Sequence, residues 1–218
     1  KTIRVCEEIL ADIRRKASIR LRAMWGLHAL NKLNPEIFLD DPSENIRIWA
    51  IRLMIDQQPI DTLFGPRENA LPAPNPEVVK KLLKRALSDT SGLVRLTLAS
   101  ALQRLPVEQR GELAKVLVAR TEDKNDHNQP HIVWAGVTPL VELDPKKLLD
   151  VARSTEWSNL RTWIARAITE RSKENPIAFD ALLKLLEDQS YQADSLLTGI
   201  ERAVLGIKGF EKPARWSE

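Results

Sequence analysis

The residues best suited to chemistry in this sequence are two histidines that flank Pro130. His127 and His131 are four positions apart, and imidazoles at that spacing on one helix face can share a metal ion. Proline favours the first turn of a helix, so Pro130 places His127 outside the helix that carries His131. The neighbouring sequence offers no third ligand, and we therefore expect no metal site here.

Three acidic residues precede these histidines in the same loop: Glu122, Asp123 and Asp126. General acid–base work would need an apolar environment to raise the pKa of one carboxyl, and this loop is polar. The sequence has no Ser-His-Asp pattern, no glycine-rich phosphate loop and a single cysteine, Cys6. We expect a protein that is not an enzyme and that holds no cofactor in this part of the chain.

A recurring aliphatic–arginine pair lies at the start of three predicted helices. Its arginines are Arg47, Arg95 and Arg161. Asp41 and Asp89 precede the first two by six residues across a turn, so each guanidinium can bond that aspartate while its apolar stem lies along the surface. We interpret the arginines as a structural brace between turns. The alternative is a row of phosphate-binding arginines.

Tryptophan dominates the aromatic residues, with six Trp against four Phe and one Tyr, which indicates a recurring structural position. Trp25, Trp49, Trp134 and Trp163 fall in the second helices of predicted helix pairs. A large ring at that position would fill the groove between adjacent units. The alternative is a base-stacking platform, which needs exposed rings beside basic residues.

Residues 57–76 interrupt the helical pattern with five prolines and one glycine, and are predicted to be an inserted loop. We expect Phe64 and Leu71 to dock back onto the helices and Arg67 and Glu68 to be exposed. Insertions in repeat proteins often carry contacts, so Phe64 and Arg67 are candidates for contact with a partner.

Two further candidates for partner contact are tryptophans outside the predicted helices. Trp157 lies in a loop and Trp216 lies in the irregular tail 207–218, where a ring is freer than inside a helix pair. We expect both side chains to be available to another protein or another domain.

Apolar residues spaced by three and four predict helices along most of the chain, without a run of strand alternation. Serines at positions 43, 91 and 158 are expected to cap three of these helices. The predicted helices are 2–16, 18–33, 44–56, 76–88, 92–105, 107–121, 131–142, 145–153, 159–172, 176–187 and 191–206.

The segments 41–53, 89–102 and 157–167 repeat one turn–helix pattern, and the helices come in pairs of about 30–40 residues, the spacing typical of HEAT repeats. Stacked pairs would bury their apolar faces as one core. We predict an all-α fold, an α-solenoid wound as a right-handed superhelix of about five to six HEAT-like or armadillo-like antiparallel helix pairs. It is expected to be a single domain over 1–218.

The charge balance argues against a dedicated nucleic-acid binder. The 33 basic residues are interleaved with 30 acidic ones, whereas such binders cluster basic residues on one face. No stretch approaches the roughly 18 apolar residues of a membrane span, so no transmembrane segment is expected in the sequence. The chain begins at Lys1 without a methionine, and we expect it to be a fragment of a longer protein.

Residues 125–140, with Asp-His-Asn-Gln-Pro followed by Trp and Pro-Leu, carry a family resemblance. They resemble the Asp-His-Asn-x-Pro…Trp…Pro-Leu signature in the HEAT-like middle region of large dehydrogenase-like proteins with haem-binding domains, common in planctomycete and verrucomicrobial bacteria. Segments 45–56, 160–167 and 196–206 are similar to other parts of that region. Thr138 stands where an acidic residue is usual.

The resemblance implies a role for the chain within a larger protein. Family members carry an amino-terminal β-propeller similar to sugar dehydrogenases and a carboxy-terminal cytochrome c domain with a Cys-x-x-Cys-His site, and they are exported. This chain would then be a non-catalytic scaffold that connects the two, in the periplasm or outside the cell. Its partners would be other domains of the same polypeptide or another protein, and haem c would be held only in another domain.

Two alternatives from other functional classes remain open. The first is nucleic-acid binding on a basic concave face, as in the HEAT-like alkylpurine DNA glycosylases, and the basic pI of about 9.0 and the six tryptophans favour it. The second is a HEAT-like enzyme of the bilin-lyase type, which rests on fold analogy alone.

Overall fold

The computed structural model describes residues 1–58, 60, 74–188, 193–210, 212 and 216. Every regular element within these residues is helical, which confirms the predicted all-α class. Three short 3-10 helices cover Pro35–Phe38, Leu102–Arg104 and Thr121–Asp123. The α-helices are α1 Thr2–Ala11, α2 Ala17–Ala29, α3 Glu44–Met54, α4 Pro76–Ser88, α5 Gly92–Ala101, α6 Val107–Val118, α7 Gln129–Val137, α8 Leu140–Leu143, α9 Pro145–Arg153, α10 Ser158–Glu170, α11 Pro176–Asp188 and α12 Ala193–Gly206.

Several predicted helices are longer than the helices in the structure. Helix α1 stops at Ala11 because the carboxylate of Asp12 accepts the backbone N–H of Arg14 and closes a turn. Helix α2 stops at Ala29, and Asn31 follows in a left-handed conformation with φ 54° that asparagine tolerates well. The predicted helix 131–142 is divided into α7 and α8 because Pro139 has no N–H to donate.

The three predicted serine caps have different outcomes. The hydroxyl of Ser91 accepts the N–H of Val94 at 3.3 Å and caps α5. Ser43 stands at the N-cap of α3, but its side chain makes no capping bond. The prediction is wrong for Ser158, which is the first helical residue of α10, with Trp157 as N-cap.

The helices form two compact units, Lys1–Leu105 and Pro106–Glu218. In the first unit α1 packs on α2, α2 on α3, and α3 on α5. In the second unit α6, α9 and α11 pack as one row and α7, α10 and α12 as another, with α10 also in contact with α9 and α11. The division into one domain or two stays open, and the single domain over 1–218 remains a prediction.

The contact between α10 and α12 depends on a glycine. A Cβ on Gly199 would lie 2.4 Å from the carbonyl oxygen of Thr162 and 2.7 Å from the Cβ of Ala165, so a side chain there would push the helices apart. The same contact is held by the hydroxyl of Thr162, which donates to the carbonyl of Ser195 at 2.9 Å. Gly199 therefore sets the spacing of these two helices.

Five arginines are the fourth residue of their helices. Arg110 in α6 donates to the carbonyl of Gly136, later in the chain, at 3.0 Å. The other four are Arg20, Arg47, Arg95 and Arg161, in α2, α3, α5 and α10. All four guanidinium groups donate to a backbone carbonyl earlier in the chain. The acceptors are Leu10, Asp41, Asp89 and Ala152, at 2.8, 2.9, 3.2 and 2.8 Å respectively. Each arginine therefore ties its helix to the segment that leads into it.

In the first unit Arg20 and Arg47 also bond the carboxylate of the following turn. Arg20 donates to Asp41, with Nη1 at 3.0 Å from Oδ1, and Arg47 donates to Asp89 at 2.8 and 3.0 Å. The prediction that Asp41 is the carboxylate partner of Arg47 is wrong. Arg47 donates to the backbone carbonyl of Asp41 but not to its carboxylate. Its ion pair is with Asp89, which is 42 residues further along the chain. We call these two ion pairs the arginine ladder.

Each aspartate of the arginine ladder also shapes its own turn. Oδ1 of Asp41 accepts the N–H of Ser43, and Oδ1 of Asp89 accepts the N–H of Ser91, both at 2.9 Å. Burial acts to raise the pKa of Asp89, but the hydrogen bonds from Arg47 and Ser91 and the charges of Arg47 and Arg85 outweigh it, so the pKa lies below its usual value. Asp89 is therefore held as a buried carboxylate.

Candidate interaction surface

Two tryptophans of the first unit meet at the surface between α2 and α3. The rings of Trp25 and Trp49 are 4.8 Å apart in an edge-to-face arrangement, which aromatic pairs favour. Trp25 is 39% exposed, and the guanidinium of Arg52 lies 5.2 Å from the ring centre of Trp49. We call these three residues the Trp25 patch, and its exposed aromatic and basic groups suit contact with a partner.

The second unit carries a similar aromatic group between α7 and α10. The ring of Trp163 lies 4.7 Å from His131 and 6.3 Å from Trp134. Both tryptophans are half-buried and His131 is exposed. These three residues form the Trp163 patch, so each unit has rings that join adjacent helices and keep an accessible edge.

An open groove of about 380 Å³ adjoins the Trp163 patch between α10 and α12. Apart from Trp163, its lining residues have polar or charged side chains, although carbon atoms form most of the exposed lining. The lining residues are Ser158, Asn159, Thr162, Trp163, Asp194, Ser195, Thr198 and Arg202. Hydroxyl, amide and charged groups of both signs give the groove donors and acceptors beside a larger share of apolar surface.

Trp157 does not lie on either patch, and the prediction that it is free for a partner is wrong. The side chain is 1% exposed, and its Nε1 donates to the carbonyl of Arg120 at 3.1 Å. Its backbone N–H donates to the hydroxyl of Thr155 at 3.0 Å, in the turn before α10. A loop position in the sequence therefore holds one of the largest buried side chains in the molecule.

The other three candidates for partner contact have different outcomes. Trp216 is half-buried and packs near Phe179 and Phe210, with ring centres 6.4 and 5.3 Å away. Phe64 and Arg67 lie outside the described residues, as does most of the inserted loop. The predicted contact roles of these three residues stay predictions.

The histidines and acidic residues considered for metal binding are not gathered into a site. His131 packs on Trp163, and Asp126 uses Oδ1 to accept the N–H groups of Asn128 and Gln129 at 2.8 and 2.7 Å. Across the described residues no three His, Cys, Asp or Glu side chains are placed to hold a metal ion. None of the described helices has the length and apolar character to span a membrane.

Arg20 and Arg52 were not predicted from the sequence to be part of the arginine ladder or of a candidate surface. Arg20 belongs to the arginine ladder although it has no aspartate six residues before it, and its signal is the position at the start of a helix that it shares with Arg47. Arg52 belongs to the Trp25 patch, and its signal is the spacing of three from Trp49, which places both on one helix face.

Compared with protein-family models, curated proteins and solved structures, the chain shows no match. The resemblance of residues 125–140 to the haem-domain proteins therefore stays a prediction.

Proposed function

We propose that this chain is a non-catalytic scaffold, a HEAT-like α-solenoid with a right-handed superhelix of about five to six helix pairs, that mediates contacts between proteins or between domains. The observation that carries the proposal is the arginine ladder. Each guanidinium joins the segment before its helix to the turn of the next repeat, as in Arg20 with Asp41. The buried guanidinium and carboxylate groups of the arginine ladder therefore bond adjacent repeats to each other and take no part in a reaction.

The helix rows of the second unit support this architecture. Among the first helices of successive pairs, α9 contacts both α6 and α11, and among the second helices α10 contacts both α7 and α12. Side-by-side contact of equivalent helices is the packing expected when each repeat buries its apolar face against its neighbours.

The Trp25 patch and the Trp163 patch are the proposed contact surfaces. Tryptophan and arginine are enriched among the residues that contribute most to protein–protein binding, and both patches keep their rings partly accessible. Trp157 is not included among the proposed contact residues, because its ring is buried.

We further propose that the chain connects a dehydrogenase-like propeller to a cytochrome c domain in a larger exported protein. The motif at 125–140 supports this assignment. The coding sequence on either side of residues 1–218 tests it first, because a Cys-x-x-Cys-His motif downstream would identify a haem-binding domain in the same polypeptide.

The contact role is tested with that haem domain expressed separately and titrated onto this chain by calorimetry. Trp163→Ala is expected to weaken binding by about tenfold or more, as loss of a central aromatic anchor does. The matched control is Ile177→Ala on α11, which removes another exposed apolar side chain from the other helix row. Equal effects of the two variants, or substrate turnover by the isolated chain, would contradict the proposal.

A second candidate is nucleic-acid binding by the Trp25 patch. The observation that favours it is the exposed ring of Trp25 packed on Trp49, whose ring centre lies 5.2 Å from the guanidinium of Arg52, because a base-stacking surface needs exposed rings and basic groups together. Titration with single-stranded and duplex DNA at low and moderate salt tests it. Binding that weakens steeply with salt supports this candidate, and no binding at low salt excludes it.

A further inference from the structure

Helix α1 exposes apolar side chains along one side. Val5 is 45% exposed and Ile9, one helical turn further, is half-buried on the same face. Ile13, immediately after the helix, is 65% exposed. Repeats at the end of a stack normally present a polar outer face, so this side of α1 resembles the inside of a stack.

Asp12 lies beside these side chains in a turn like those of the arginine ladder. Its Oδ1 accepts the N–H of Arg14, two residues on, just as the ladder aspartates accept the N–H of Ser43 and Ser91. The ladder aspartates also receive an arginine from the preceding repeat. Asp12 instead pairs with two arginines of its own turn, and the closer of them, Arg14, is 88% exposed.

We propose that the face formed by Val5, Ile9, Asp12 and Ile13 docks a further helix pair of the same kind, which supplies an arginine to Asp12 and an apolar helix side to α1. The ion pair would add one step to the arginine ladder, so the contact continues an interface that the first unit already contains. This inference rests on the repeat stacking proposed above.

A second copy of this chain stacked head to tail does not supply that arginine. The last second helix, α12, has Leu196 at its fourth position, where the ladder helices have arginine. The fourth-position arginines of the other helices are already bonded, including Arg161 to Ala152 and Ser195. The chemistry therefore favours a separate helix pair over self-association.

The test uses a chain in which a second copy of residues 2–34 is inserted between Lys1 and Thr2. The helix α2 of the added copy then presents its own Arg20 to the original Asp12. If the added copy docks, the melting temperature rises by about 4 °C or more, the shift that one to two kcal/mol produces in a domain of this size. Circular dichroism must also gain the helical signal of the added residues.

Two substitutions assign the gain to the proposed face. Ile13→Lys and Asp12→Asn are each expected to remove at least half of the increase in melting temperature, and to leave the chain without the added copy nearly unchanged, since Ile13 and the partners of Asp12 are exposed. An unchanged melting temperature, or equal effects of both substitutions with and without the added copy, would overturn the proposal. A double-mutant cycle on Arg20 and Asp41 distinguishes this proposal from the repeat stacking on which it rests. If Arg20 and Asp41 are coupled but the added copy does not raise the melting temperature, only the docking face is rejected. If Arg20 and Asp41 are not coupled, repeat stacking is rejected as well.

Discussion

The turn before α5 in the first unit is built with a carboxylate, and the turn before α10 in the second unit is built with a hydroxyl. Oδ1 of Asp89 accepts the N–H of Ser91 at 2.9 Å, and the hydroxyl of Thr155 accepts the N–H of Trp157 at 3.0 Å. The carboxylate also receives Arg47 from another helix. In the second unit Arg161 is bonded instead by the carbonyl of Ala152 and the hydroxyl of Ser195.

The difference shows that the repeated pattern specifies a backbone turn and an arginine position, but not the charge that the arginine meets. The first unit holds its turns with buried ion pairs, and removing one partner of such a pair strongly destabilises the protein. The turn before α10 instead depends on the neutral hydroxyl of Thr155 and the buried ring of Trp157. The two units should therefore respond differently to mutation and to pH.

The largest expected effect is that of Trp157→Ala in the second unit. Removing a fully buried tryptophan should lower the free energy of unfolding by about 3–5 kcal/mol, because it leaves a cavity and the carbonyl of Arg120 without its indole donor. Chemical denaturation measures this loss. Trp25→Ala is the control, since its ring is partly exposed, and a loss as large as that of Trp157→Ala would show that Trp157 is not the centre of packing assigned here.

The next largest expected effect is a difference between the two turn acceptors, Asp89 and Thr155, in the free energy of unfolding that is lost when each is substituted. Asp89→Asn keeps the acceptor for Ser91 but leaves Arg47 without its carboxylate and Arg85 with that of Asp40 alone, at a cost of about 3 kcal/mol. Thr155→Val removes one hydrogen bond from a neutral turn and should cost about 1–2 kcal/mol. Both are measured by denaturant titration at neutral pH, and equal losses would remove the distinction between a charged and a neutral turn.

Acid should weaken the first unit through Asp89. Its pKa is lowered in the folded state, so below the ordinary aspartate value of about 3.9 the unfolded chain binds the proton first and stability falls with pH. The contribution is complete above that value and is lost as the pH falls through the lower folded pKa. Amide hydrogen exchange in α3 and α5 across this range measures it, and the Asp89→Asn variant should lack the Asp89 part of the dependence. An identical pH profile in that variant would contradict the assignment.

The smallest expected effect is at the Trp25 patch. Arg52→Gln removes the guanidinium near the Trp49 ring and should lower the free energy of unfolding by only about 0.5–1 kcal/mol, the value of an exposed cation–π contact. Lys80→Gln is a control, since it removes a cation from an exposed ion pair within α4. A much larger loss for Arg52→Gln would mean that this arginine supports the fold rather than the surface.

The sequence predicted the all-α class and the position of most helices, because apolar spacing and prolines such as Pro76 and Pro176 mark them directly. It did not predict the partner of Arg47, since an aspartate six residues away and one 42 residues away are equally compatible with a local pattern. Trp157 was misjudged for a related reason. A loop residue is usually accessible, and only the packing of distant segments around it shows that this ring is buried.

The candidate surface was partly predictable. Trp25, Trp49, Trp134 and Trp163 were interpreted from their places in second helices as packing rings between adjacent units, and their rings do contact one another in pairs. Their exposed edges could not be read from the sequence, because helical spacing shows which face a residue occupies but not how much of that face a neighbour covers.

A double-mutant cycle on Arg20 and Asp41 tests the role of the arginine ladder most directly. Arg20→Met, Asp41→Asn and the double variant are compared with the unmodified chain by denaturant unfolding. Both side chains are almost fully buried and hydrogen-bonded to each other, so the two substitutions should be coupled by about 2 kcal/mol or more. Coupling near zero would contradict the claim that an arginine of one repeat holds the turn of the next.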